Sequence, residues 1–205
     1  MGKTVFFGGT FNPPHKAHRK MLEAVSGLGD VERILVAPTN IPPHKATPSL
    51  FASAEDRLNM CRLLITGVPK AEVSDIEIKR AGKSYSFYTL SELKGIYPEL
   101  SMLIGGDMLT SFTDWFNYKG ILELAELIAV RRKGIDNEEF DEKAEALRRI
   151  GGRITVVETD LPRISSTEIR SLILSGGCDL ETLVPQNICD YIRDNKIYGG
   201  GYHDC

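Results

Sequence analysis

The sequence has no surplus of basic residues: 25 lysines and arginines face 28 acidic side chains, for a formal net charge of −3. A chain built to track nucleic acid carries a basic excess, so no nucleic-acid partner is expected. Long apolar runs are missing as well. Nothing approaches the roughly 18 residues that would span a bilayer, so no membrane partner is expected. The opening residues, Met1 to Gly9, lack a leader pattern, and Phe6 stands where a myristoylation signal needs Ser or Thr. Cysteine is scarce. Cys61, Cys178, Cys189 and Cys205 form no C-x-x-C pair and no zinc-ligand spacing, and a chain of 205 residues needs no disulfide staples. Together these absences point to a reduced, cytoplasmic setting. Tryptophan occurs once and histidine four times, so where those residues fall carries information.

What is present is ordinary for a soluble protein, with 42% hydrophobic and 26% charged residues. Short apolar runs alternate with amphipathic stretches, the pattern of an α/β protein with a doubly wound, mostly parallel sheet and helices on both faces. Strands are predicted at Thr4–Phe7, Arg33–Ala37, Glu72–Ile78, Met102–Ile104, Leu127–Val130 and Ile154–Val157. Helices are predicted at Lys16–Leu28, Tyr85–Ile96, Glu138–Arg149, Ser165–Leu174 and Asn187–Asn195. A further helix opens on a capping box at Ser53–Asp56 and turns Leu58, Cys61, Leu64 and Ile65 inward. No repeat or linker divides the chain, so residues 1–198 read as one domain and 199–205, opening on three glycines, as a loose tail. Ligands of such sheets sit at the carboxyl ends of the strands, where strand order reverses.

One segment stands in that position. Gly8-Gly9-Thr10-Phe11-Asn12-Pro13-Pro14-His15-Lys16-Ala17-His18 lies between the first strand and the first helix. Paired glycines allow a sharp turn that presents backbone N–H groups to an anion. Prolines stiffen the loop. His15 and His18, three residues apart at a helix start, share one face, and half the histidines of the chain fall here. Free N–H groups and the positive dipole end at that point favour phosphate. Imidazoles beside a polyphosphate gain proton affinity and become charge-assisted donors. Two histidines are not a closed metal set, so no metal ligation is assigned.

A second helix start, Ile164-Ser165-Ser166-Thr167-Glu168-Ile169-Arg170, has two readings. Its hydroxyls and N–H groups suit phosphate oxygens, with Arg170 one turn in and able to bind the same anion bidentately. Alternatively, Ser165-x-x-Glu168 is a plain capping box with a solvated Arg170.

The first segment resembles the phosphate-binding signature of the nucleotidyltransferase superfamily with an H-x-G-H motif. In particular it is similar to the bacterial nicotinate-nucleotide adenylyltransferases, which open G-G-x-F-N-P-P-H-x-G-H; here Ala17 replaces the last glycine. The second segment resembles the superfamily's I-S-S-T-x-I-R signature. Pro42-Pro43-His44-Lys45, Ser84-Tyr85-Ser86, Gly105-Gly106-Asp107, Trp115 and Val184-Pro185 also match the family, while Tyr88 stands where Asp is common.

The resemblance implies a Rossmann-like fold and transfer of AMP from ATP, bound with Mg2+, to a pyridine mononucleotide. ATP would be held by Gly8, Gly9, Thr10, Phe11, His15, His18, Gly105, Asp107, Ile164, Ser165, Ser166 and Arg170. Of these, His15, His18 and Arg170 are the catalytic set, with His18 nearest the α-phosphate and Asp107 on a ribose. The mononucleotide would be held by Asn40, His44, Lys45, Tyr85, Ser86 and Trp115, the indole stacking on the pyridine ring. Three functions stay open at this point: transfer to nicotinate mononucleotide, transfer on the same fold to another acceptor, and nucleotide binding without catalysis. Association as a homo-oligomer is also left open.

Overall fold

A computed structural model describes residues 2–43, 51–134, 137–177 and 179–199. Strands β1 (Lys3–Gly9), β2 (Val31–Pro38), β3 (Ala71–Val73), β4 (Leu100–Gly105), β5 (Glu126–Arg132) and β6 (Ile154–Thr159) form one sheet in the order β3-β2-β1-β4-β5-β6. Every neighbouring pair is parallel, as the alternating pattern predicts. The helices are α1 (Lys16–Ser26), α2 (Ala54–Leu64), α3 (Ile76–Arg80), α4 (Ser86–Lys94), α5 (Gly106–Thr110), α6 (Tyr118–Leu124), α7 (Glu138–Arg149), α8 (Ser166–Leu174), α9 (Leu180–Leu183) and α10 (Gln186–Asp194).

Successive strand residues face opposite sides, so each central strand feeds two cores. Val5, Phe7, Val36 and Ile128 pack with Leu22, Cys61, Ile169 and Ile188 on one side. Phe6, Leu35, Met102 and Leu127 pack with Leu90, Ile121 and Phe140 on the other. Cover on both faces is why these strands read as continuous apolar runs rather than alternating ones. The chain steps outward from β1 to β2 and β3, then returns to lay β4 against the free side of β1, pairing Phe6 with Met102. The helices after β1 and β4 leave for opposite faces: Met21, Leu22 and Val25 of α1 join the first core, Leu109 of α5 the second. A crevice opens where they part.

Some local expectations change. The predicted strand Glu72–Ile78 is a three-residue edge strand that ends at Val73, followed by α3. Ser74 N–H still reaches the Val36 carbonyl, but Asp75 then accepts from Lys79 N–H and the chain coils. Inward on α2 is Arg57, only 1% exposed, while Leu58 is half-buried. The short helices α3, α5, α6 and α9 have no counterpart among the predicted elements. The charged helix α7 keeps its predicted bounds, with Asn137 Oδ1 accepting from Phe140 N–H at 3.2 Å and acidic and basic residues in its first and last turns. Of the predicted tail, only Gly199 is described; Cys178 and Cys205 lie outside the described residues.

Candidate active site

The crevice is a cleft of about 880 Å³, and most residues singled out from the sequence line it. From β1 and its loop come Gly8, Gly9, Thr10, Phe11, His15 and His18. Gly105 and Asp107 come from the end of β4, Ile164, Ser165, Ser166 and Arg170 from the start of α8, and Tyr85, Ser86 and Trp115 from the far wall. His44 and Lys45 lie outside the described residues. Asn40 is not among the lining residues. Its N–H donates to Ser84 Oγ at 2.8 Å and its amide to the Gly82 carbonyl at 3.2 Å, so it ties the loop after β2 to the segment before α4.

Gly8 and Gly9 do not make the turn. Both are still in strand β1, opposite Ala37 and Pro38. Their lack of a side chain is a packing requirement: a Cβ would come within 2.6 Å of the Phe6 ring at Gly8 and 2.9 Å of the Phe11 ring at Gly9. The chain turns at Phe11 instead, whose φ of 49° is left-handed. The Phe11 ring is buried and sits edge-on against Phe7 (centroids 5.3 Å) and His18 (5.0 Å), so it serves as a floor for the histidine.

His15 caps α1 with extended backbone, and His18 lies in the first turn. The two imidazoles stack at 3.7 Å between centroids. His18 Nδ1 accepts from the His15 backbone N–H at 3.2 Å, which places the proton of a neutral His18 on Nε2. The His15 ring faces the His18 backbone N–H without completing a regular hydrogen bond, and its Nδ1 is left buried and unpaired. Burial lowers the His15 pKa to about 4, and the field of Glu168 offsets little of that. Desolvation, which disfavours the charged imidazolium, is the dominant cause.

At α8 the capping box of the second reading is present. Ser165 Oγ accepts from Glu168 N–H at 3.2 Å and the Glu168 carboxylate accepts from Ser165 N–H at 2.9 Å, a reciprocal capping box. Arg170 is not solvated. Its Nη1 donates to the Asn12 carbonyl at 2.7 Å and the Ser166 carbonyl at 3.1 Å. Ser166 Oγ donates to the Pro13 carbonyl at 2.8 Å. The two helix starts are thus bound to each other across the loop.

Asp107 does not cap α5; Gly105 holds that position, and Asp107 is exposed in the first turn on the cleft wall. A Cβ on Gly105 would stand 2.7 Å from Asp107 Oδ1, so the glycine leaves room for the carboxylate. On the far wall, α4 begins at Ser86, and the first-turn N–H groups of a helix lack intrahelical partners. Trp115 is half-buried against Phe112 with ring centroids 5.4 Å apart, so it both packs on the core and lines the cleft. Tyr88 joins a rim cluster in which Phe116 lies 5.5 Å from Tyr88 and 4.9 Å from Tyr85.

Sequence reasoning missed several groups. Arg131, Arg132 and Arg163 line the cleft. Arg131 is held by Asp141 and Glu158, at 2.8 and 2.6 Å. A rule already in hand would have found the pair at 131–132, since they end the apolar run of β5 at its carboxyl end. Buried Glu77 also borders the cleft, accepting from Thr89 Oγ1 at 2.6 Å, and burial raises its pKa. The most consequential omission is Arg57. Its guanidinium donates to the carbonyls of Ala52, Thr10 and Asn40 at 3.2 Å each and to that of Thr39, and it lies over the Phe51 ring at 4.7 Å. Among the described residues no three His, Cys, Asp or Glu side chains converge to hold a metal. No helix among them is long and apolar enough to cross a membrane.

Comparison with known proteins agrees with this geometry. The cytidylyltransferase-like family model matches residues 6–172. A relative from Dehalococcoides mccartyi, named "probable nicotinate-nucleotide adenylyltransferase", is 37% identical over 202 residues, covering 96% of this chain and 97% of its own. One of the same name from Fusobacterium nucleatum is 38% identical, covering 95% and 99%. The fold is also that of the Plasmodium falciparum nicotinic acid mononucleotide adenylyltransferase solved with NaAD, with a TM-score of 0.81 over 99% of this chain and all of that one, at 18% identity. With relatives of this identity aligned over nearly its whole length, the chain belongs to the nicotinate-nucleotide adenylyltransferase family of cytidylyltransferase-like enzymes.

Proposed function

We propose that the protein transfers AMP from ATP to nicotinate mononucleotide, giving nicotinate adenine dinucleotide and pyrophosphate, a step in NAD biosynthesis. The observation that carries this reading is the convergence of helix starts on one cleft. α1 with His15 and His18, α8 with Arg170 and α4 with Ser86 all border it, as does Trp115. Helix starts are anion sites, and both substrates of this reaction carry anionic groups.

The chemistry needs no activated side-chain nucleophile. The acceptor phosphate is already ionised near neutral pH. One of its oxygens attacks the α-phosphorus of ATP, the bond from that phosphorus to the oxygen bridging to the β-phosphate breaks, and the electron pair leaves with pyrophosphate. The protein supplies in-line placement and charge stabilisation. In this reading Nε2–H of His18 donates to the α-phosphate, and His15 and Arg170 meet the β- and γ-phosphates with the N–H group of Ser166, while Glu168 holds that of Ser165 and fixes the helix start. Asp107 accepts from a ribose hydroxyl. Magnesium would arrive with ATP and would neutralise charge on its phosphates; among the described residues no three His, Cys, Asp or Glu side chains are grouped to hold it independently of the nucleotide. The buried thiols of Cys61 and Cys189 are free, which suits a reducing cytoplasm.

Acceptor choice follows from the far wall. The N–H groups of Ser86 and Phe87 in the first turn of α4, together with Ser86 Oγ, are donors, and they match a carboxylate on the pyridine ring. An amide turned toward them leaves a donor unpaired, which costs about 1–3 kcal/mol per group. Two such groups give a preference for the nicotinate form of order 10²-fold. Pyrophosphate release with ATP and each mononucleotide in parallel measures it. Equal kcat/KM values would refute this assignment while leaving adenylyl transfer intact.

A further inference from the structure

The loop between β1 and α1, residues 10–15, has no regular hydrogen-bonded structure of its own, yet it carries the residues on which phosphate transfer depends. Its position is set by side chains from elsewhere. Two of its ties come from α8, through Arg170 and Ser166. A third comes from the other end of the chain. Tyr198, 6% exposed, donates its hydroxyl to Asn12 Oδ1 at 2.9 Å, in a contact buried behind the loop. The same oxygen accepts from Ala52 N–H at 3.0 Å, so the Asn12 side chain, itself 2% exposed, is gripped from two sides. The carbonyl of that same residue is the one Arg170 holds at 2.7 Å.

We infer that Tyr198 is a positioning residue for adenylyl transfer, its hydroxyl holding Asn12 and through it the Arg170 contact and the loop that leads into His15 and His18. This rests on the activity proposed above. Tyr198 touches no reacting atom; it acts by fixing where the donors stand. The alternative is that Tyr198 is only a core ring, packed with Ile197 among the residues that cover α1 and α2. A phenylalanine would serve that purpose equally well. The hydroxyl therefore separates the two roles.

The test is Tyr198→Phe, with Tyr191→Phe as its control. Tyr191 also sits near the C-terminal end and also uses its hydroxyl, donating to Asp56 Oδ1 at 3.1 Å and accepting from Asn59 Nδ2 at 3.0 Å, neither of which is in the loop. A displacement of ~1 Å in a catalytic group costs about 10²-fold in rate, so the partial loosening of one loop tie should lower kcat about tenfold. ATP affinity, read by calorimetry, should fall about threefold, and KM for the mononucleotide should stay within twofold. Tyr191→Phe should keep kcat and ATP affinity within twofold of the wild type. On an Asn12→Ala background, Tyr198→Phe should add less than twofold, because the path it uses is already cut. A Tyr198→Phe protein with wild-type kcat and ATP affinity would overturn the inference, whatever its melting temperature. Equal losses in the two tyrosine variants would overturn it as well, as would full additivity with Asn12→Ala. A wild-type protein that releases no pyrophosphate would count against the proposed activity instead, and ATP affinity alone would then decide the role of Tyr198.

Discussion

Replacing Arg57 with methionine should be among the most damaging single changes outside the proposed catalytic set. The side chain is 1% exposed and its guanidinium donates to four backbone carbonyls, those of Thr10, Thr39, Asn40 and Ala52. Hydrogen bonds to a charged group contribute about 1.5–3 kcal/mol each, so the gross loss is roughly 6–12 kcal/mol. Methionine is close in length and removes the desolvation cost that already pulls the Arg57 pKa down, a relief of several kcal/mol. What stays behind is a set of buried carbonyls without donors, and the net destabilisation should be about 3–5 kcal/mol. At about 2–4 °C per kcal/mol for a chain of this size, Tm should fall by roughly 6–20 °C. Arg57→Lys should recover less than half, because an ammonium concentrates three donors at one point and cannot span four separated carbonyls. Urea unfolding followed by tryptophan emission and by circular dichroism measures both variants. Stability within 1 kcal/mol of the wild type for Arg57→Met would refute the idea that this buried cation holds the loops together.

The remaining predictions concern charge in the cleft. The pKa of His15 is lowered by burial to about 4, so the fold favours its neutral form; its share of stability is complete above pH 6.5 and is lost as pH falls towards 4. That interval corresponds to about 3 kcal/mol, and His15→Gln should remove this part of the acid slope, as urea unfolding at stepped pH would show; an unchanged slope would place the ring in solvent. Arg170→Ala should weaken ATP binding by about tenfold or more, the equivalent of losing one charge-assisted contact, with mononucleotide binding within twofold. Calorimetry with each ligand checks it, and an unchanged ATP affinity would leave Arg170 as a loop tie only.

Much of this was readable before the fold was known, for reasons that can be traced residue by residue. The sheet was legible because β1, β2, β4 and β5 are covered on both faces and so carry apolar runs that no amphipathic helix would show. The bounds of α7 were legible because Asn137 and the end charges mark them locally. The histidine pair was legible because it opens the helix that follows the first strand. What could not be read was anything that depends on contact across the chain. Arg57 looks like a surface residue of an amphipathic helix until the carbonyls of two distant loops gather around it. Gly8 and Gly9 look like a turn until Phe6 and Phe11 are seen to occupy the space of their missing side chains. The residues Glu72–Ile78 alternate like a strand, but pairing with β2 covers only Ala71–Val73 before the chain turns away at Ser74.

The bond from Tyr198 to Asn12 joins residues 186 positions apart, and that span bears on how the protein comes into being on the ribosome. At roughly 5–20 residues per second, the loop that follows β1 is synthesised about 10–40 s before the tyrosine that anchors it. Its tie to Arg170, 158 positions away, is only slightly less delayed. Ala52 and Arg57 reach the loop early, but Asn12 waits nearly the whole of translation for its two other partners. A growing chain can lay down β1 and β2 early, but it cannot complete the ties of the loop between β1 and α1 until synthesis is almost over. A ribosome stalled before residue 198 leaves a chain with its sheet laid down and the loop after β1 without its last tie.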